Sequence, residues 1–241
     1  MRRRPRAVLA AGVVAALAAA ASPAAAATPK VSQLVVFRSG DVLQTAAVKA
    51  RGTHVHVRKR RCAVPGGTAL AALALSKPPK LKLRDYGSCG KRARDAGGLF
   101  VRGIGPDRNH GIDGWVYKVG NRLATAGAAD PSGPFGNGRI KSGKSVTWFY
   151  CHMNAASHSC QPTLALAPLP ADPGAMRVHV TAYDDRGHGA PSARATVRAG
   201  NASATTDASG DATLTLAAGR YLVHAERSGS IRSFDEAVDV H

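Results

Sequence analysis

Between Thr28 and Pro168 the chain has no glutamate and only six aspartates. No two of these aspartates are close in sequence, so the paired carboxylates used for general acid and base work are missing from that stretch. The patterns G-x-S-x-G and H-E-x-x-H are absent as well, which removes the local signatures of a serine-hydrolase elbow and of a zinc protease. Aromatic residues make up 5% of the chain and are not interleaved with its basic runs, so the stacking platform of a single-strand nucleic-acid binder is not written in the sequence. Long apolar runs are also scarce. The one present, Ala7 to Ala21, follows four arginines and leads into an alanine-rich stretch with an A-x-A cleavage pattern near Ala26 or Ala27. That is the three-part layout of a secretory signal, and the run is shorter and less hydrophobic than the ~20 residues of a membrane span. The expectation is a signal peptide over 1–27 and an exported chain from residue 28 that is not transmembrane after processing.

What the chain does have is positive charge, unevenly placed. Residues 28–168 carry 22 Lys and Arg against six Asp, a net of +16, whereas residues 169–241 carry seven against nine, a net of −2. A Pro-rich stretch, "QPTLALAPLPADPGA", lies where the charge changes. Two domains are expected, 28–160 and 176–241, joined by a linker over 161–175. A basic exported domain attracts anionic wall or matrix polymers. Its densest clusters are Arg58, Lys59, Arg60 and Arg61, then Lys77, Lys80, Lys82 and Arg84, and these are the candidate polymer contacts.

The stretch "GRIKSGKS", Gly138 to Ser145, satisfies the Walker A pattern. A phosphate loop needs a strand before it and a helix after it, because the phosphates rest on free amides at the helix N-terminus. Here a Gly- and Pro-rich loop precedes the motif and the strand-like "SVTWFYC" follows it. The expectation is a turn at Ser142-Gly143-Lys144 and no nucleotide site.

Four cysteines in an exported chain point to two disulfides. Three pairings exist; Cys62 with Cys89 and Cys151 with Cys160 is the favoured one, because the second pair flanks the short loop "HMNAASHS". A metal site at Cys151, His152, His158 and Cys160 competes with oxidation of the same thiols, and its spacing matches no common zinc pattern. No metal or other cofactor is expected. His110 with Asp107 or Asp113 is the nearest approach to a catalytic pair, in a loop that reads first as a turn.

Alternation supplies the fold class. Val55 and Val57 share a strand face; Thr68 caps a short Ala/Leu helix that stops at Pro78 and Pro79; "GGLFVRGI" reads as a strand. Trp115, Tyr117 and Val119 align on one face of "DGWVYKVG", and Val146, Trp148 and Tyr150 on one face of "SVTWFYC". The second domain alternates throughout, with Met176, Val178, Val180 and Ala182 on one face and Asp/Gly turns at the spacing of a small sandwich. The class is mostly β: a mixed sheet with one short helix, then an antiparallel β-sandwich.

The order "GTALAAL", "GGLFVRGI", "DGWVYKVG", "AGAAD" and "SGKSVTWFYC", within about residues 53–151, resembles bacterial exported domains of unknown function related to the C-terminal domain of transcobalamin and intrinsic factor. The resemblance implies a β-grasp-like fold and a lean toward ligand or surface binding. It does not carry cobalamin binding with it, because nothing here reads as the helical barrel that forms the other side of that vitamin's site. Trp115, Trp148 and Phe135 are the candidates for a small ligand. "TDASGDATLTLAAGRYLVHA" resembles carboxypeptidase regulatory-like and related immunoglobulin-like modules, which implies that Tyr221 fills core and that Asp207 shapes a turn.

Overall fold

The structure, a computed structural model, describes residues 28–241 except Ser88. The signal-peptide reading of residues 1–27 lies outside the described residues. No helix among the described residues is long and apolar enough to cross a membrane.

A five-stranded mixed sheet organises the first half. Strand β1 (Lys30–Val36) turns back into β2 (Val42–Lys49), and β10 (Ser145–Cys151) inserts parallel to β1 on its other side. Antiparallel β8 (Gly114–Val119) and short β9 (Arg122–Leu123) complete the order β2-β1-β10-β8-β9. Across one face lies α1 (Ala69–Leu75), capped by the Thr68 hydroxyl, which accepts the Ala71 N–H at 3.2 Å. The hairpin of β3 (Thr53–Val57) with β4 (Arg60–Val64) joins it there. So does the small sheet of β5 (Lys82–Asp85), β6 (Leu99–Ile104) and β7 (Asp107–Arg108). Val31, Val35, Trp115, Tyr117, Val146 and Trp148 from the large sheet meet Leu70, Leu73, Val57 and Val101 in one buried core. A hairpin, a short helix and a final strand laid parallel to the first is a β-grasp-like arrangement.

The second half is a sandwich. One sheet is β11 (Thr163–Leu169), β12 (Ala175–Tyr183) and β13 (Gly189–Pro191), with β16 (Asp211–Thr215) also paired to β12. The other runs β15 (Ala202–Thr205), β14 (Thr196–Ala199), β17 (Gly219–Glu226) and β18 (Glu236–Val240). Met176, Val178 and Val180 from the first meet Val197, Val223 and Ala225 from the second, as period-2 alternation requires. Tyr221 packs against this core and donates its hydroxyl to Ala217 O at 3.0 Å. Asp207 accepts the amides of Ser209 and Asp211, and Gly210 supplies the positive φ of that turn.

Two features depart from the sequence reading. Residues 163–169, within the stretch read as a linker, form strand β11; Leu164 and Leu166 point into the sandwich core, and their apolar alternation outweighs the flanking prolines. The second face of the large sheet is also covered. Leu34, Val36, Phe149 and Cys151 pack with Ile231 of the sandwich in a third buried cluster, with Val116, Leu123, Met153 and Phe234 at its edges. A sheet buried on both faces reads as continuous hydrophobic sequence, which is why β10 is buried from Val146 to Cys151.

Candidate functional site

The β3–β4 hairpin turns at Arg58-Lys59, with Val55 and Val57 inward and His54 and His56 outward. Arg58 has φ 54, a left-handed conformation that costs a side-chain-bearing residue about 1 kcal/mol and that hairpins usually assign to glycine. Next to it, a guanidinium nitrogen of Arg60 lies 3.7 Å from Asp85 Oδ2, and another donates to the Cys89 carbonyl. Asp85 is largely buried. Its oxygens accept the amides of Gly87 and Cys89, each at 3.0 Å, so it anchors the loop that carries Cys89. The Cys62–Cys89 disulfide, with Cα atoms 5.3 Å apart, ties that loop to β4.

These restraints bring two basic segments together. Arg58 and Arg60 from the hairpin, Arg84 from β5 and Arg102 from β6 line one cleft of about 460 Å³. Four arginines share this cleft with a single carboxylate, Asp85, already engaged by two amides and Arg60. On the outer face of the β5–β6 pair, Arg84 stands directly opposite Phe100 in the ladder. The Arg84 guanidinium sits 4.6 Å from the centre of the Tyr86 ring, and Tyr86 meets Phe100 edge-on at 5.9 Å. Tyr86 is 64% exposed and Phe100 42%, a pair of large aromatics left in solvent beside the arginines. Such a geometry holds an oxyanion by forked N–H donors and stacks a ring or sugar face beside it.

Of the polymer-contact candidates, Arg58, Arg60 and Arg84 converge on the cleft, and Lys59, Arg61, Lys77, Lys80 and Lys82 do not line it. Arg61 lies 3.2 Å from His54 Nδ1 along the hairpin, and Lys77 and Lys80 sit in the connection from α1 to β5. Arg102, Tyr86 and Phe100 escaped sequence reasoning because none sits in a run of charge. The signal for Phe100 and Arg102 was alternation: Leu99 and Val101 are buried, so their neighbours face out.

The remaining candidates are separated by the fold. Cys151 and Cys160 form the second disulfide, with Cα atoms 5.2 Å apart, so neither thiol serves as a metal ligand. His110 and Asp113 exchange backbone hydrogen bonds in a tight turn, and the Asp113 carboxylate turns to the Met153 N–H and to His152 Nδ1 at 3.1 Å. The Met153 amide first and His152 second hold the Asp113 carboxyl below its ordinary pKa. Asp107 accepts the Arg38 amide instead of touching His110. Gly138 to Lys144 is turn and loop leading into strand β10, and Gly143 donates its N–H to Lys30 O. Trp115 and Trp148 line a common cleft, whereas Phe135 lies apart from it with the Arg122 guanidinium 4.8 Å above its ring. Comparison of the chain with protein-family models, with curated proteins and with solved structures finds no match.

Proposed function

We propose that this chain is exported and acts, without catalysing a reaction, as a binding protein whose basic first domain holds an anionic extracellular polymer in the arginine cleft. The observation that carries the reading is the convergence of Arg58, Arg60, Arg84 and Arg102, which are dispersed over 45 positions of sequence and gathered by a disulfide and a buried aspartate. Two disulfides and the absence of a long apolar helix among the described residues are compatible with an extracellular life. Exposed charge pairs contribute roughly 0.2–1 kcal/mol each, so affinity depends on several simultaneous contacts. It also falls as salt shortens the Debye length from about 8 Å at physiological ionic strength. The exposed Tyr86 and Phe100 suit a polymer whose anionic groups alternate with sugar or other ring faces.

The test compares two charge reversals of equal size. The full chain is passed over immobilised polygalacturonate and polyphosphate, and the salt needed for elution is measured. Arg84→Glu with Arg102→Glu should weaken retention about tenfold or more, equivalent to at least 1.4 kcal/mol. Lys77→Glu with Lys80→Glu, outside the cleft, should change it far less. Equal effects from both pairs would reduce the binding to net charge, and failure of the unaltered chain to be retained at low salt would end the proposal.

A further inference from the structure

The arginine cleft lies at the turn of the β3–β4 hairpin, and a second basic cleft lies at the hairpin's open end. Four segments build it: Thr28 and Pro29, Ala50 to Gly52, Gly66 with Gly67, and Arg139 to Ser142. Backbone hydrogen bonds stitch them together. Ala50 donates to Pro29 O at 2.8 Å, Gly67 to Ala50 O at 2.6 Å and Ile140 to Gly67 O at 2.8 Å, while the Lys30 N–H reaches Ser142 Oγ at 3.1 Å. Glycine permits the close approach. A Cβ on Gly66 would lie 2.8 Å from Gly52 N, and one on Gly67, whose φ is 71, would lie 3.0 Å from Arg139 Cβ. The segments enclose about 470 Å³.

Arg51, Arg139 and Lys141 line this cleft, and none of its lining residues is acidic. Ile140 is buried and anchors its loop, which leaves Arg139 and Lys141 exposed on either side of it. Beside the cleft, Lys30 stands directly opposite Lys49 in the β1–β2 ladder, a like-charge pairing that destabilises a sheet. The counter-charge is not local. No Asp or Glu occurs between Asp41 and Asp85, and the Asp130 carboxylate, in the loop where Arg139 Nε reaches Pro131 O, is taken by the Ser132 N–H and hydroxyl. A concave site of one charge sign, fixed by backbone rather than by ion pairs, concentrates anions. The hairpin connects it to the arginine cleft. From Gly52 to Arg58 the extended strand covers about 20 Å. The side chains facing out along it are His54 and His56, with Arg61 opposite His56.

We propose that Arg51, Arg139 and Lys141 form a second oxyanion subsite, and that one polymer chain lies along the hairpin and enters both clefts. This rests on the polymer reading above and adds a minimum length to it. The ligand is a linear polyanion reaching about 20 Å, whereas a shorter one occupies each cleft singly. Joining two sites through one chain makes the second contact intramolecular, so affinity climbs once the ligand is long enough to span them.

Ligand length tests this directly. Whichever polymer retains the full chain at low salt, galacturonate or phosphate, is titrated into it calorimetrically as a trimer, too short to touch both clefts, and as a dodecamer, long enough to do so. The unaltered chain should take up two trimers or one dodecamer, and should bind the dodecamer about tenfold or more tightly than the trimer. Arg139→Glu with Lys141→Glu should leave one trimer site and bring the dodecamer down to the trimer's affinity. Lys77→Glu with Lys80→Glu, an equal change of charge outside both clefts, should keep two trimer sites and the dependence on length. Should the first pair misfold, Arg51→Glu, at an exposed position, should likewise remove one trimer site. A single trimer site in the unaltered chain, no gain with length, or equal losses from the two pairs would each overturn the second subsite, while the effect of Arg84→Glu with Arg102→Glu would leave the polymer reading standing. A chain that neither polymer retains would end both.

Discussion

Replacing Lys118 with methionine should loosen the attachment of the two halves of the molecule. Lys118 lies on β8, its side chain fully buried, and its ammonium reaches across to the sandwich. There it donates to Asp184 O at 2.8 Å, Tyr183 O at 3.0 Å and Thr163 Oγ1 at 3.2 Å, with Asp185 Oδ1 3.7 Å away. Three oxygens satisfy three ammonium hydrogens, and Asp185 balances the charge. Methionine keeps the apolar stem and removes the donors, leaving two carbonyls and a carboxylate buried without them. Breaking a buried pair by removing one partner costs about 3–5 kcal/mol. In a chain of this size each kcal/mol moves the melting temperature by roughly 2–4 °C, so a fall of about 10 °C is expected. Calorimetry is the assay of choice because it also reports cooperativity: a shared transition in the unaltered chain should split when the halves uncouple. Thr163→Val, which removes the longest of the three contacts, should cost only about 1 kcal/mol. A Lys118→Met chain that melts within about 2 °C of the original, in a single transition, would refute the view that this ammonium holds the halves together.

Burial lowers the Lys118 pKa below its ordinary 10.5, against the raising influence of Asp185 and Asp184. The unfolded chain therefore binds more protons between the folded value and 10.5, and this group's contribution to stability should rise with pH through that window. Denaturant midpoints measured from neutral pH up to 10.5 should show the rise in the unaltered chain and its loss in Lys118→Met; a parallel pH profile for the two would contradict it. Of the two disulfides, Cys62–Cys89 closes the longer loop, with a separation of 27 against 9 residues for Cys151–Cys160. Chain entropy assigns them about 3.6 and about 2.7 kcal/mol. Urea unfolding of the paired serine variants should show the larger loss for Cys62→Ser with Cys89→Ser, and that variant alone should also weaken polymer retention, since it frees the Cys89 loop from the arginine cleft.

The legible parts of the sequence were those with a strict local period. Alternation placed Trp115 and Tyr117, and likewise Trp148 and Tyr150, in the core, and the Thr68 cap with the Ala/Leu run marked the helix. Both cysteine pairings were also legible, Cys151–Cys160 from the short loop it flanks and Cys62–Cys89 as the pair that remained. What escaped had no local period to betray it. Strand β1 is buried on both faces, with Gln33 interrupting its apolar run, so the parallel partner of β10 went unrecognised. Lys118 shares its strand face with Val116, opposite Trp115 and Tyr117, and in isolation that face reads as solvent. Only the docked sandwich makes it interior. Arg102 illustrates the same limit for the site, because a single arginine between Val101 and Gly103 becomes notable only when the fold sets it beside Arg84 and Arg60.

The sheet that hides Lys118 also insulates the arginine cleft. Successive residues of β1 and β10 point to opposite faces: Val35 and Trp148 toward the helix and the small sheets, Leu34 and Phe149 toward the sandwich. The arginine cleft and the second domain therefore sit on opposite sides of one layer. This placement matters for charge. The second domain carries the chain's only glutamates and a net of −2, and its Asp184 and Asp185 would oppose an anionic ligand if they stood near the cleft. Instead they close the β12–β13 turn, where Asp185 accepts the Cys160 N–H at 2.8 Å and lies beside the Lys118 ammonium. The Asp185 charge goes to docking, the Asp184 carboxylate accepts the Arg186 and His188 amides of its own turn, and the basic surface is left to face outward. A first domain cut out at residue 160 would lose that arrangement and expose Leu34, Val36 and Phe149 to water. Its retention on anionic resins would then report adhesion of a bared apolar sheet together with the arginines, and the intact chain is the object on which charge and shape act separately.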